Sequence, residues 1–342
     1  MTFSKARLVL VLGIGVIGIG SAYHRHAVKV RAGMLGRAVV PTNYFPAGAV
    51  WTQDVSHAPL DPQSSAMINW LASAGGWGTG KVQVDFAIRV MQADATSPYV
   101  PFRKGPEFNS PDSDVVSTFP LPVGGGMEGK TGYRCFIGQE DCHLIVVDRS
   151  HNKLYEAFQA DYANGVLSAG SVAVWDLNRI YPLSGRGEQC TSTDGAGFPI
   201  APLLFSADEL AAGSIQHAIR FILPNPRMRA GVYVHPATHA GGPSGPDSAP
   251  PYGAHFRLKA SCDVSQLKPA AQVVARAMQQ YGMFLADGGN VALTAQNDTD
   301  TTTKYADIDF GPHDLQSLKV TDFEVLDGGK RIPLTFDCVR NP

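Results

Sequence analysis

The clearest indication of fold in this chain is 143-HLIVVD-148, followed by the polar turn 149-RSHN-152 and by 153-KLYEAF-158. Short apolar runs separated by turn residues are typical of strands. Further runs of this kind occur at 82–88, 171–177, 215–223, 231–235, 254–260, 320–326 and 332–338. Short strands at this spacing, broken by Gly, Pro, Asn and Asp, predict a mainly β fold, an antiparallel β-sandwich of the jelly-roll kind, rather than βαβ units.

Two or three short helices are predicted among these strands. Asp61-Pro62 offers an N-cap followed by proline at the first helical position. Ser206 and Glu209 have the spacing of a capping box, which predicts a helix of one or two turns. Residues 269–281 carry apolar side chains at helical spacing and are followed by a glycine, which indicates the best-defined helix of the chain.

The N-terminus has the pattern of an export signal. Lys5 and Arg7 precede an apolar run over 8–19, which ends in the small residues 20–22. Because the run is shorter than the roughly 20 residues that a stable membrane-spanning helix needs, we interpret it as a signal peptide cleaved after Ala22. An uncleaved N-terminal anchor is the alternative.

The chain is therefore predicted to have three parts: a leader over 1–22, a lead-in segment over 23–42 and a single β-sandwich domain over 43–342. A protein with such a leader is expected to be secreted, periplasmic or held at the cell surface. Contact with a membrane is expected only through the leader, if it stays uncleaved.

The composition disfavours several classes of function. The 28 Lys and Arg nearly balance the 30 Asp and Glu, and no basic stripe is present, so a nucleic-acid partner is not expected. The sequence lacks the Gly-x-Ser-x-Gly motif of a serine hydrolase. The glycines at 124–126 follow prolines and open no helix, so they do not form a phosphate-binding loop.

Five cysteines in an exported chain allow at most two intrachain disulfides. Cys135 and Cys142 could close a hairpin loop, and Cys262 and Cys338 could close a long one. Cys190 is then the unpaired cysteine, and a bridge between Cys142 and Cys190 remains an alternative. The spacing fits no zinc pattern.

One polar block combines a glycine-rich turn with acidic and imidazole groups. Glu128 lies in the turn, His143 begins an apolar strand just after Asp141, and Asp148 ends that strand. A neighbouring acid can orient a histidine so that one ring nitrogen stays free, which is an arrangement for general acid–base catalysis. Each residue taken alone is expected to be structural, because the strand ends of any sandwich carry Asp and His.

A second group of candidates surrounds a loop of glycines and hydroxyl residues over 190–199. Asp194 in this loop is either a reacting carboxylate or the former of a local turn. His217 shares a strand face with apolar residues and is expected to be a hydrogen-bonded core histidine, whereas Arg220 faces the other way. His235 and His239 have the spacing of a metal pair only in a helix, and the proline at 236 disfavours one.

These segments resemble a family of exported bacterial proteins with no established activity. The motifs are E-G at 128–129, D-C-H-L-I-V-V-D at 141–148, L-Y-E at 154–156, W-D-L-N at 175–178, T-S-T-D-G-A-G-F-P-I at 191–200 and P-A-T-H at 236–239. This chain departs from the family's usual arginines at Cys142 and Thr238. The resemblance covers nearly the whole mature chain, and it implies export, one domain and a bacterial source.

The first functional hypothesis is an enzyme that acts on an extracellular or cell-wall polysaccharide. A glycoside hydrolase would use Glu128 with Asp148 or Asp194 as its two carboxylates. A polysaccharide lyase would instead use His143 or His239 as base. The residues expected to bind the sugar are Arg220 and Arg257, which could neutralise a carboxylate, and Trp175 and Tyr155, which could stack on sugar rings.

The alternative hypothesis is a glycan-binding or cell-surface protein without catalysis. Neither of these two hypotheses requires a cofactor or a metal, and an oligosaccharide or polysaccharide is the expected partner in both. A third hypothesis is an exported metalloprotein. Convergence of the acidic and imidazole candidates in one cleft would favour catalysis, and their dispersal would favour binding.

Overall fold

The computed structural model describes residues 44–341, and the predicted leader over 1–22 and lead-in over 23–42 lie outside the described residues. The strands are β1 Val84–Ile88, β2 Val90–Ala93, β3 Tyr99–Lys104, β4 Thr118–Pro120, β5 His143–Asp148, β6 Lys153–Phe158, β7 Asp161–Ala163, β8 Val166–Ala169, β9 Ser171–Asp176, β10 Gly187–Glu188, β11 Ile219–Leu223, β12 Val232–Tyr233, β13 His255–Leu258, β14 Met283–Gly288, β15 Leu293–Gln296, β16 Phe323–Val325, β17 Ile332–Pro333 and β18 Val339–Arg340. The helices are α1 Ser64–Ser73, α2 Ala207–Ala212 and α3 Pro269–Gln280, with 3-10 turns at Val50–Thr52, Ala201–Leu203, Asn225–Arg227, Tyr305–Ile308 and Val320–Asp322. The predicted mainly β class with short helices is confirmed.

The strands form one six-stranded sheet, two four-stranded sheets and two small ribbons. Their orders are β1-β15-β11-β14-β13-β16, β2-β5-β6-β9, β4-β3-β8-β7, β10-β18 and β12-β17. The sheets are mixed rather than wholly antiparallel, because β1 and β15, β2 and β5, β3 and β8, and β11 and β14 pair in parallel. The alternation of apolar residues along a strand does not determine which strand it pairs with or in which direction. The parallel pairs therefore cannot be predicted from this pattern.

The layering of the fold follows from β5, which is buried on both faces. Leu144 and Val146 belong to a smaller core, whereas Ile145 and Val147 belong to the larger one. A strand between two apolar layers reads as a continuous hydrophobic run, and this is the pattern in HLIVVD. The sheet β2-β5-β6-β9 therefore separates two cores.

Of the two helices with a predicted N-cap, α2 begins at it, whereas α1 begins two residues later than predicted. The side chains of Ser206 and Glu209 form the predicted capping box, and Gly213 ends α2 with a left-handed backbone. The predicted helix near Asp61 starts at Ser64, after Asp61 Oδ1 accepts the Gln63 N–H at 2.8 Å. His217 is a buried, hydrogen-bonded core histidine, as expected, with its Nε2 3.1 Å from Oε1 of Glu209.

The disulfide prediction is half correct. Cys135 and Cys142 are bridged, but Cys338 pairs with Cys190 and not with Cys262, which is free. The reason is the pairing of β10 with β18, which brings the two cysteine Cα atoms within 4.4 Å. Two disulfides are typical of proteins that fold in an oxidising compartment.

Among residues 44–341, none of the helices has the length and apolar character that crossing a membrane requires.

Candidate functional site

A polar cleft of about 370 Å³ opens at one end of the sheet β2-β5-β6-β9. His143, Phe158 and Ser171 are paired across β5, β6 and β9, so they lie at the same end of this sheet. The carboxyl end of β14 completes the cleft with Asp287. The full lining is Glu107, Asn109, Asp141, His143, Phe158, Gln159, Gly170, Ser171, Thr191, Ser192, Thr193, Asp194, Gly195, Asp287 and Gly288.

His143 is fixed at both ring nitrogens. Nδ1 lies 2.7 Å from Oε2 of Glu128, and Nε2 lies 3.0 Å from the carbonyl oxygen of Thr193. Burial alone would lower the pKa of His143, but the hydrogen bond and charge of Glu128 outweigh it and raise that pKa to about 9. The ring is therefore an imidazolium at neutral pH that donates both protons, and it is not a free base.

Glu128 is the matching anion. Burial acts to raise the pKa of Glu128, yet the hydrogen bond from His143 lowers it below its ordinary value. The backbone also joins the two residues, since the Glu128 N–H donates to the His143 carbonyl at 3.0 Å. The predicted neighbours are thus a preformed ion pair.

Asp141 reaches the open part of the cleft. Its Oδ1 lies 3.9 Å from Nδ1 of His143, and its side chain is 79% exposed. Desolvation by the cleft wall raises the pKa of Asp141, His143 opposes this, and the charges of Glu128 and Asp287 add to it. Water at so exposed a carboxyl screens much of the effect.

Asp194 is a buried partner of Arg220. Oδ1 of Asp194 accepts from Nη2 of Arg220 at 2.5 Å, and Nη1 of Arg220 donates to Oγ1 of Thr294 at 2.9 Å. Burial raises the pKa of Asp194 to about 7 although Arg220 acts to lower it. The side chain of Asp194 therefore accepts a hydrogen bond from β11 and none from its own loop. A local turn formed by this side chain, which was the alternative prediction, is not present.

Asp287 is a second carboxylate with access to the cleft. Its Oδ2 accepts the N–H of Gly195 at 3.1 Å, its Oδ1 accepts the N–H of Gly288 at 2.8 Å, and its side chain is 34% exposed. Nη2 of Arg220 lies 4.0 Å away. Gly195 is required beside it, because a Cβ there would lie only 2.5 Å from Oδ1 of Asp287.

His239 lies behind the loop that carries Asp194. Its Nδ1 is 3.0 Å from the carbonyl oxygen of Gly195, and burial lowers its pKa, so the ring is neutral. His235 instead places Nε2 2.7 Å from Oε1 of Glu188. The two histidines have separate partners and form no pair for a metal.

Asp148 is the acidic candidate that lies elsewhere. It ends β5, five residues from His143 at the opposite end of the strand, and it is hydrogen-bonded by Tyr99, Ser150 and His151. Of the five acidic and imidazole candidates, His143 and Asp194 line the cleft. Glu128 and His239 do not line it but contact the lining residues His143 and Gly195, and Asp148 lies elsewhere.

The predicted sugar-binding residues, apart from Arg220, are also distant. Arg257 is paired with Glu324 on β16, and Tyr155 lies against the smaller core. The indole of Trp175 is buried and donates to Oε2 of Glu156 at 3.0 Å. A buried indole packs the core, so Trp175 presents no face to a sugar.

Three groups of potential metal donors occur within residues 44–341. Two of them include sulfur atoms that are engaged in disulfides and are therefore not thiolates. The third is Glu128, Asp141 and His143, where Nδ1 of the histidine already shares a proton with Glu128.

Asp141 and Asp287, the two carboxylates with access to the cleft, are not among the site residues that the sequence predicts. Asp141 stands two residues before His143, and this adjacency was the available signal. Asp287 directly follows the apolar run 283–286, which resembles any buried strand that ends in a turn. Only the position of Gly195 beside it distinguishes Asp287.

No protein-family model, curated protein or solved structure matches this chain. The resemblance to exported bacterial proteins stays a prediction that these comparisons leave untested.

Proposed function

We propose that this protein is an exported glycoside hydrolase that cleaves a neutral or amino-bearing polysaccharide, with Asp141 and Asp287 as its two reacting carboxylates. The observation that carries the proposal is that both carboxylates have access to a single polar cleft. Export is supported by the leader pattern and by the two disulfides.

The choice of this pair follows from what the other acids already bind. Glu128 is committed to His143, and Asp194 is buried against Arg220. A glycosidase needs two carboxylates that flank the scissile bond, so both must reach the substrate. Asp141 and Asp287 meet this requirement, and we assign Glu128 and Asp194 to holding their neighbours in place.

The surroundings of the two carboxylates suit different roles. The raised pKa of Asp141 suits a general acid that protonates the leaving oxygen, and the imidazolium of His143 would stabilise the anion left behind. The N–H groups of Gly195 and Gly288 hold the carboxylate of Asp287 in one orientation. Asp287 would therefore act as base or nucleophile.

The charge of the cleft favours hydrolysis over the lyase alternative. Its lining includes the acidic residues Glu107, Asp141, Asp194 and Asp287. A lyase must attract and neutralise an anionic sugar, but the lining contains no arginine or lysine, and Arg220 is buried and paired with Asp194. A neutral or cationic glycan avoids this repulsion, and the hydroxyl and amide groups of the lining can bond its hydroxyls.

The experiment is a panel of neutral, amino-bearing and uronic polysaccharides screened for binding and for released reducing ends. We expect release from a neutral or amino-bearing polymer, and a loss of roughly 100-fold or more in Asp141→Asn and Asp287→Asn. Asp263→Asn is the matched control, because this exposed aspartate lies in the loop before α3 and outside the cleft lining.

Two further variants separate the alternatives. If Glu128→Gln and His143→Ala abolish release while Asp287→Asn keeps it, the reacting pair is wrongly chosen. Binding without release by the wild type would instead favour the non-catalytic glycan-binding protein. Cleavage of a uronic polymer with an unsaturated product would favour the lyase.

A further inference from the structure

Two exposed phenylalanines lie outside the cleft lining, on segments that disulfides hold next to lining residues. Phe136 is 66% exposed and Phe336 is 63% exposed. A single exposed apolar residue needs no explanation by itself, but a ring held at a fixed position beside a polar cleft offers an apolar face to a ligand.

The backbone around Phe336 is held in place. Cys338 is bridged to Cys190, β18 pairs with β10, and Gln189 bonds the chain on the other side, at the Thr335 N–H and the Pro333 carbonyl. Phe336 itself has φ +64°, a left-handed conformation that is unfavourable for a bulky residue. Strain of this kind persists only where the surrounding structure enforces it, and it is concentrated at functional sites.

Phe336 is connected to the cleft through His239. The two ring centroids are 5.4 Å apart in an edge-to-face arrangement, and Nδ1 of His239 lies 3.0 Å from the carbonyl of Gly195. Gly195 lines the cleft and donates to Asp287. The disulfide gives a second connection, since Cys190 directly precedes the lining residue Thr191.

Phe136 lies on the loop that carries Asp141. The disulfide between Cys135 and Cys142 closes this loop, and the Phe136 N–H donates to Oε2 of Glu140 at 2.8 Å. The loop packs on the cleft lining through Gln159, whose amide donates to the Glu140 carbonyl at 3.0 Å. Phe136 is thus next to a bridged cysteine on the loop that carries Asp141. Phe336 is two residues from a bridged cysteine, and His239 connects it to Gly195, which bonds Asp287.

We propose that Phe136 and Phe336 are outer subsites of a groove through the cleft, which binds an oligosaccharide longer than the cleft itself. This inference rests on the proposed function. A pyranose ring presents C–H groups on its faces and hydroxyls at its edges, so an aromatic ring can pack on a face while polar residues bond the edges. The combination of exposed rings with a polar lining matches this chemistry.

A protein partner fits these observations less well. Protein interfaces are depleted of charged residues at their centre, whereas the cleft that these loops contact is lined by Glu107, Asp141 and Asp287. The groove therefore favours a chain of hydroxyl-rich units.

The test is binding to the hexamers and dimers of cello-, xylo-, laminari- and chito-oligosaccharides and of glucosamine, measured by titration calorimetry with the Asp287→Asn protein. We expect Phe136→Ala and Phe336→Ala each to weaken hexamer binding by roughly 2- to 10-fold, multiplicatively when combined, and to leave dimer binding unchanged. Phe336→Trp should keep the affinity. Tyr99→Leu is the control, because Tyr99 is 38% exposed and bonds Asp148 at the other end of β5.

The outcomes distinguish this inference from the proposed function. Hexamers that are cleaved by the wild type but bind both alanine variants normally would overturn the groove and leave hydrolysis standing. Hexamers that bind through the two rings without being cleaved would support the groove and overturn hydrolysis. If the wild type binds none of these glycans, or if purified proteins bind at the two rings instead, the groove is wrong.

Discussion

Nδ1 of His143 and Oε2 of Glu128 lie 2.7 Å apart beside the cleft, as a buried imidazolium and a carboxylate. These residues are fifteen positions apart in the sequence, and the glycine-rich turn over 124–129 brings them together. Because the second nitrogen of His143 faces the Thr193 carbonyl, the pair joins the start of β5 to the loop that carries Asp194. The electrostatics of the cleft are organised around this pair.

The pair predicts a pH-dependent stability. The pKa of His143 is raised from 6.5 to about 9. The protonated ring therefore contributes fully to the free energy of unfolding below pH 6.5, and this contribution is lost as the pH rises through 9. We expect the free energy of unfolding of the wild type to fall by roughly 3 kcal/mol over this range relative to His143→Gln. Urea unfolding at pH 6, 7.5 and 9 measures it, with His57→Gln, an exposed histidine, as control. A difference between wild type and His143→Gln that does not change with pH would contradict the ion pair.

The ion pair between Asp194 and Arg220 predicts an asymmetric response to substitution. Asp194→Leu leaves the guanidinium buried without its anion, and we expect it to cost about 3–5 kcal/mol of unfolding free energy. Replacing both residues, by Asp194→Leu with Arg220→Met, should cost less than the single change, since no charge is then left unpaired. Equilibrium urea unfolding of the three proteins is the measurement, and a double variant less stable than the single one would refute the pairing.

Gly195 predicts a steric effect on Asp287. A Cβ at position 195 would lie 2.5 Å from Oδ1 of Asp287 and 3.2 Å from Cε1 of Tyr252. Gly195→Ala should therefore move the carboxylate by about 1 Å and cost about 1–3 kcal/mol of stability. Gly311→Ala is the matched control, because the nearest atom there is 3.8 Å away. Crystal structures of both variants would show whether the Asp287 carboxylate moves. An unmoved carboxylate in Gly195→Ala would mean that the contact between residue 195 and Asp287 is looser than described.

The disulfides predict a ranking of stabilities. The bridge between Cys190 and Cys338 spans 148 positions, and the bridge between Cys135 and Cys142 spans 7. On the chain-entropy relation, replacing each pair by serines should cost about 5 and about 2 kcal/mol respectively, and Cys262→Ser should be nearly neutral. Thermal unfolding and mass spectrometry of non-reduced peptides test this order. A large loss from Cys262→Ser would mean that the pairing is different.

The parts of the fold that could be predicted are those with local signals. The hairpin from β5 to β6, the capping box of Ser206 and the face of α3 each depend on residues a few positions apart. The parallel pairing of β11 with β14 and the bridge from Cys190 to Cys338 depend on contacts distant in sequence, which no local pattern encodes.

The candidate site divides in the same way. Glu128 and His143 could be proposed from a glycine-rich turn and a strand start, which are local features. Trp175 and Asp148 do not line the cleft, and the sequence does not show this, because strand ends and tryptophans look alike in sequence whether they face a cleft or a core. Asp287 is held by the N–H of Gly195, and Phe336 lies two residues from the bridge between Cys190 and Cys338. Both contacts are distant in sequence, so only the three-dimensional structure identifies these two residues.

Chemical rescue of Asp287→Ala is the most direct test of the central claim, that Asp287 is a reacting carboxylate of a glycosidase. The rate of reducing-end release would be measured on the polysaccharide that the wild type cleaves, with and without added formate, and Asp263→Ala would be the control. We predict that Asp287→Ala loses activity by roughly 100-fold or more and regains part of it with formate, because the small carboxylate can occupy the vacated position. Undiminished release by Asp287→Ala, or no release from any polysaccharide by the wild type, would contradict the claim.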